Sequence, residues 1–302
     1  PLTVVAAPIN LLPTFRKLDF DKDGRIWTNS SRYKAGMFCL DINNTLDNND
    51  DDKHKFVGPT FTNQDGVSEI INDIFFFEFD KNGEMWLGTD RGIFVLREPE
   101  KFLSDDNVIF ERVKIPRNDG TNLADYLLSG IYTTAICIDD ANRKWIGTQN
   151  NGVFLLSEDG KETIHHFTEE NSPLLSNYIQ TIAINSSTGS VFFGTSLGLI
   201  EYGGDATEPE NSLSESNIEV YPNPVNPDFD GPVTIKGMSD KCTVRIVSAS
   251  GSLVYQGYSN GGTFTWNVTD RNGNRVSSGI YHAIITDLNN SKSTSVSITV
   301  IR

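Results

Sequence analysis

Basic charge is scarce in this sequence: 25 Lys+Arg stand against 40 Asp+Glu, a formal net charge of -15 over 302 residues. A nucleic-acid binder needs a basic face, so that class is excluded. Apolar runs are short, and none approaches the ~18–20 residues of a bilayer-spanning helix, so no transmembrane segment is expected. Cysteine is limited to Cys39, Cys137 and Cys242, far apart and without a C-x-x-C pair. A structural zinc site therefore has no support, and the thiols read as buried. The odd count argues against a disulfide-stapled miniprotein but leaves export open. Alanine is rare as well, 10 residues against 28 asparagines, which disfavours helices and supplies turns. There is no G-x-S-x-G elbow, P-loop or H-E-x-x-H motif, so neither a catalytic residue nor a cofactor is expected. The chain starts at Pro1 with neither Met nor a signal peptide, which reads as a mature form or a fragment.

What is present is an internal repeat. Asp80–Leu96 (DKNGEMWLGTDRGIFVL) and Asp140–Leu156 (DANRKWIGTQNNGVFLL) match closely, Ser187–Tyr202 (STGSVFFGTSLGLIEY) more loosely, and Asp21–Cys39 forms an earlier copy. Their anchors Trp27, Trp86, Trp145 and Phe192 are spaced by 59, 59 and 47 residues. In the last three units a β-rich run (Ile74–Phe79, Ala135–Ile138, Gln180–Ile184) precedes a polar turn and the aromatic strand. A glycine turn at Gly92, Gly152 or Gly198 and a third apolar strand follow. Successive hairpins at a period of ~40–50 residues indicate propeller blades. Gly88, Gly147 and Gly194 permit close backbone packing, and Thr89, Thr148 and Thr195 suit hydrogen bonds to the neighbouring turn.

A length prior of roughly 150 residues per domain suggests two domains. Residues 203–217 are acidic and Ser-rich, and read as an exposed linker between repeats at 1–202 and a domain at 218–302. From Ile218 seven short strands alternate with Gly, Asn and Asp turns, which suits an Ig-like β-sandwich with Trp266 as its core anchor. The expected fold is all-β, a partial β-propeller of four recognisable blades followed by this sandwich.

The W-[LI]-G-T-x-x-G pattern, with N-x-I-x-x-I at Asn177–Ile182, resembles the two-component regulator propeller repeats over about residues 15–202. The first unit departs from it, with Asn29 and Ser30 in place of Gly-Thr and a longer turn to Gly36. That resemblance implies further blades upstream. Tyr221-Pro222-Asn223-Pro224, then Gly231, Gly251–Tyr255, and Trp266–Tyr281 with Gly273 and Gly279, ending at Arg302, resemble the C-terminal sorting domain of type IX (Por) secretion cargo. The two resemblances imply a non-catalytic protein exported to the cell surface and associated with the outer membrane. Its implied partners are other outer-membrane secretion proteins, with lipopolysaccharide or glycan as further ligands. An exported propeller cargo with a cleaved tail is the alternative. A sensor fragment of a hybrid two-component receptor comes third, since a receptor would continue into a membrane helix and a kinase.

Other features have plainer readings. Asp19–Gly24 opens like a calcium loop, but Ser30 replaces the bidentate Glu and Trp27 begins a strand, so a hairpin turn is expected, with equivalents at Asp80 and Asp140. Adjacent His165 and His166 face opposite ways on a strand and do not share a metal readily. The Asp47–Asp52 run reads as a solvated loop. Tyr33, Tyr126 and Tyr178 read as packing aromatics before sugar-stacking ones.

Overall fold

The structure is a computed structural model that describes residues 15–31, 34–45, 48, 50–117, 119–289 and 291–302. The chain divides into two compact units. One runs to Ile138 and takes in 142–183 and 192–200; the other comprises 139–141, 184–191 and 201–302.

The repeats fold as antiparallel meanders. The first is β1 (Phe15–Phe20), β2 (Ile26–Ser30), β3 (Gly36–Asp41) and β4 (Lys53–Val57). A hairpin, β5 (Thr60–Thr62) and β6 (Ser68–Ile70), leads to the second, β7 (Ile74–Phe79), β8 (Met85–Thr89) and β9 (Gly92–Leu96), whose outer side bridges Glu111. A further hairpin, β10 (Lys114–Pro116) and β11 (Ala124–Tyr126), precedes the third blade: β12 (Thr133–Ile138), β13 (Lys144–Thr148), β14 (Val153–Leu156) and β15 (Thr163–Phe167). The fourth is β16 (Ile179–Asn185), β17 (Ser190–Thr195) and β18 (Gly198–Gly203). The fold is all-β, with propeller blades built from short loops between neighbouring strands.

The tryptophans explain the blade stacking. Trp27, Trp86 and Trp145 are wholly buried at the same place in β2, β8 and β13. Each packs on the blade that follows: Trp27 on Phe79 with ring centroids 6.0 Å apart, Trp86 in a cluster with Ile136, Ile146 and Leu156, and Trp145 on Phe193 at 5.4 Å. Truncating such a residue to alanine costs about 3–5 kcal/mol. Phe192, in the tryptophan register, is only half-buried, while its neighbour Phe193 is buried.

All seven strands expected after Ile218 form, in two sheets. One orders β19 (Glu219–Tyr221), β20 (Val233–Lys236) and β23 (Phe264–Trp266); the other orders β22 (Leu253–Tyr258), β21 (Cys242–Ser248), β24 (Gly279–Asp287) and β25 (Ser293–Val300). Alternation along β24 sends Tyr281, Ala283 and Ile285 inward and leaves Ile280 and Ile284 exposed. Trp266 is wholly buried 5.5 Å from the Tyr281 ring, and the Tyr281 hydroxyl donates to Ser277 O at 2.8 Å. That backward bond from the start of a strand is the tyrosine corner of Ig-like sandwiches.

Residues 203–217, which read as an exposed linker, are packed in part. Ala206, Thr207 and Leu213 are buried, the Gly262 amide donates to Thr207 O, and the Glu210 amide donates to Met238 O. Isolated apolar residues in a polar run leave no period to read, yet backbone bonds of this kind recruit them to the second unit.

Candidate functional site

The recurring polar element is a turn tied to its tryptophan. Asp80 Oδ1 accepts the amides of Asn82 (2.9 Å) and Glu84 (3.0 Å). Its Oδ2 accepts the Trp86 indole N–H at 3.2 Å and the Lys144 ammonium at 2.9 Å. Asp21 repeats the pattern, with the Asp23 and Arg25 amides on Oδ1 and the Arg25 guanidinium (2.7 Å) and Trp27 indole (2.8 Å) on Oδ2. Gly24 and Gly83 close these turns at φ 81° and 82°, where a side chain would be strained. Four N–H groups thus occupy the carboxylate of Asp21, the second acidic residue of the calcium-like loop at Asp19–Gly24. Among the described residues, no group of three His, Cys, Asp or Glu side chains is arranged to hold a metal.

The third repeat corrects the sequence reading by one residue. Asp139, not Asp140, opens its turn, accepting the Ala141 amide at 3.0 Å. Asp139 also stands six residues before Trp145, as Asp21 does before Trp27 and Asp80 before Trp86. That constant spacing was the available signal. In the fourth repeat Asn185 opens the turn, accepting from Ser187, and Phe192 has no indole N–H to hold.

The motif glycines and threonines have assignable jobs. A Cβ on Gly88 would meet Thr133 Oγ1 at 2.8 Å, and one on Gly147 would meet Ile179 Cγ2 at 2.7 Å, so both are places where the next blade's first strand packs. A Cβ on Gly194 would meet Thr181 of its own blade at 2.6 Å. The Thr89, Thr148 and Thr195 hydroxyls donate to the carbonyls of Gly92, Gly152 and Gly198 at 2.8, 2.8 and 3.0 Å. In the first blade Asn29 replaces the glycine, and its amide reaches Ile74 O of the next blade at 2.7 Å.

Of the remaining candidates, His165, His166 and Tyr126 make contacts within the protein. The His166 ring stacks on Phe154 with centroids 3.9 Å apart, and its Nε2 lies 2.8 Å from Asn151 O; His165 stacks near Phe167. The Tyr126 hydroxyl donates to Asp65 Oδ2 at 2.8 Å and accepts from Asn63, while its ring covers the buried Arg112 guanidinium at 4.8 Å. The Lys114 ammonium, 2.6 Å from Asp65 Oδ1, holds that carboxyl below its ordinary range, and the carboxylate in turn pushes the Tyr126 phenol up. Burial raises the Cys39 and Cys242 thiols. Tyr178 is exposed. Tyr33, Asp47 and Asn49 lie outside the described residues.

In the sandwich, Asn223, Gly279 and Tyr281 meet the last strand, whereas Gly251, Gly273 and Trp266 lie elsewhere. Asn223 Nδ2 donates to Ser297 O and its Oδ1 accepts from Thr299 N, both at 2.9 Å. Val225 continues this parallel contact, its amide donating to Thr299 O and its carbonyl accepting from Ile301 N. Pro222 and Pro224 flank Asn223, and Tyr221 ends β19. Gly251 and Gly273 close hairpin turns at φ 83° and 82°, Gly279 pairs with Val300, and the Arg302 amide donates to Ser278 Oγ at 2.8 Å. The sequence singles out Asn223 within the Tyr-Pro-Asn-Pro motif but not its partners, which lie more than seventy residues away.

The family of secretion system C-terminal sorting domains matches residues 219–299. Among solved structures, PorZ of Porphyromonas gingivalis aligns at 33% identity and TM-score 0.67, covering 96% of this chain. The chain is PorZ-like. It spans 39% of that PorZ chain, which is an essential bacterial surface component of the type IX secretion system. The extracellular domain assigned to a hybrid two component system of B. thetaiotaomicron aligns at 15% identity, covering 98% of this chain and 51% of that one, with TM-score 0.40. No curated protein matches the chain significantly. The sorting domain and the likeness to PorZ mark an exported, surface-associated protein of the type IX system. Among the described residues no helix is long and apolar enough to cross a membrane.

Proposed function

We propose that the chain acts as a non-catalytic surface component of the type IX secretion system. It is delivered by the sandwich and engages partners through the loops of its blades. The observation that carries this reading is the 33% identity to PorZ over 96% of the chain, sorting domain included. Support for a non-catalytic role comes from the occupied side chains: the Asp21 and Asp80 carboxylates each hold several N–H groups, and His166 lies stacked on an aromatic ring. The partners are other outer-membrane proteins of the machinery, with lipopolysaccharide or glycan as further ligands. Exposed Val67, Ile70 and Leu123 on the β5–β6 and β10–β11 hairpins offer contact surface, as loops carried on a rigid scaffold commonly do. Deleting the gene tests the reading. Other exported proteins should then fail to reach or stay on the surface, and their normal secretion and anchoring would overturn it.

The sorting domain alone also fits a cleaved cargo protein. Mass spectrometry of the surface-bound protein separates the two readings, because cargo should lack residues beyond about Asn217, whereas a machinery component keeps them.

A further inference from the structure

The sandwich has four sheet-edge strands, and exposed edges recruit other strands unless they are blunted. Shortness blunts β19 and β23, each of three residues. A break in register at Ile246/Val247 bulges the pairing of β22 with β21. β25 has none of these features. It pairs with β24 over eight consecutive residue pairs without a shift, and it carries no charged residue and no proline from Ser293 to Val300.

Half of that edge is already covered by strand addition. Asn223 and Val225 satisfy the outward backbone groups at Ser297 O, Thr299 N, Thr299 O and Ile301 N. Alternate residues face the same way, so the N–H and C=O of Ser295 and the N–H of Ser297 also point outward. No hydrogen bond reaches them among the described residues. The neighbouring turn at Glu215–Asn217 keeps its closing bonds to itself, from Asn217 N to Ser214 O and from Ile218 N to Glu215 O. Val296, facing the core, stays only partly buried beside this stretch.

We propose that the open half of the β25 edge, Ser293–Ser297, takes an extended strand from a protein of the export machinery by main-chain hydrogen bonding. Only an extended chain presents amides and carbonyls at the spacing of this line, and Asn223–Val225 already binds the adjoining half in that way. An apolar residue of the added strand completes the burial of Val296. Register comes from the main chain and selectivity from the apolar contact with Val296. The proposal rests on the export reading above.

The test uses the full chain in a bacterium with a type IX system, reading surface display by protease accessibility of intact cells. Ser295→Pro removes one outward N–H that has no partner among the described residues, a substitution that edge strands tolerate. Ser295→Lys blunts the edge by charge. Both variants should unfold at the wild-type temperature and lose surface display. Should Ser295→Pro melt early, Ser295→Lys decides. Wild-type display by a stable variant would overturn the edge proposal alone. Retention of the wild-type chain inside the cell would overturn the export reading and this proposal with it. A wild-type dimer that Ser295→Lys dissociates would make a second copy the occupant and overturn the assignment to an export partner.

Discussion

Lys144 Nζ stands 2.9 Å from Asp80 Oδ2, and both side chains are wholly buried. The ammonium also donates to Asn142 O at 2.8 Å and Glu158 O at 2.5 Å and lies over the Trp86 ring at 4.7 Å. One cation thus joins the turn of the second blade to the third, above the tryptophan that packs between them.

Breaking that pair from one side should be costly. Lys144→Met leaves the Asp80 carboxylate buried without its counter-charge, and about 3–5 kcal/mol of stability should be lost. Asp80 keeps three N–H donors, so the lower end of the range is expected. The double variant Asp80→Asn/Lys144→Met removes both charges and should recover much of the loss. Denaturant unfolding of the full chain measures both. A single variant within about 0.5 kcal/mol of wild type, the usual size of a surface effect, would refute a structural role for the pair.

The blade architecture was legible because its signals are local and repeated. Three tryptophans at intervals of 59 residues, each followed by Gly-Thr or its substitute, mark the second strand of each blade. The seven sandwich strands were legible for the same reason: alternation and turn residues are written within a few positions. The Lys144–Asp80 bond joins residues 64 apart, and Asn223 reaches residues 74 and 76 further on. Nothing local distinguishes Lys144 from a solvated lysine, and the motif that marks Asn223 does not say what it bonds; tertiary packing chooses their partners. The turn of the third repeat was misplaced for a smaller reason. Asp139 and Asp140 are adjacent and chemically alike, and only the distance to Trp145 separates them.

Acid should weaken one contact on the β5–β6 and β10–β11 hairpins. Asp65 titrates below its ordinary range because Lys114, and then Tyr126, hydrogen-bond to its carboxylate. A depressed carboxyl stabilises the folded state above its unfolded value of about 3.9 and loses that contribution as pH falls through the lower folded value. Lys114 is raised by the same contact, so its share persists below about 10.4 and fades as pH climbs through the higher folded value. The pair is exposed and its effect small. Asp65→Asn should flatten the acid limb of the stability profile below about pH 4 and, because Lys114 loses its partner, also the alkaline limb above about pH 10.4, leaving the shape between them unchanged. An acid limb identical to wild type would show that the contact does not form in solution.

The clamp on the last strand makes the sharpest prediction for the sorting domain. Asn223 donates to Ser297 O and accepts from Thr299 N, so Asn223→Ala removes two hydrogen bonds at the edge of β25, each worth about 0.5–1.5 kcal/mol net. Asn223→Asp keeps an acceptor for Thr299 N but loses the donor and sets a carboxylate against the Ser297 carbonyl. It should therefore be no better than alanine. Hydrogen exchange of the full chain reads the effect directly. The Thr299 amide should exchange faster in both variants, while Ile298 and Val300, paired with Tyr281 and Gly279 across β24, should change less. Equal acceleration along the whole strand would mean that Asn223 holds the sandwich together as a unit. No change at Thr299 would mean that the Val225 contact suffices to close this edge.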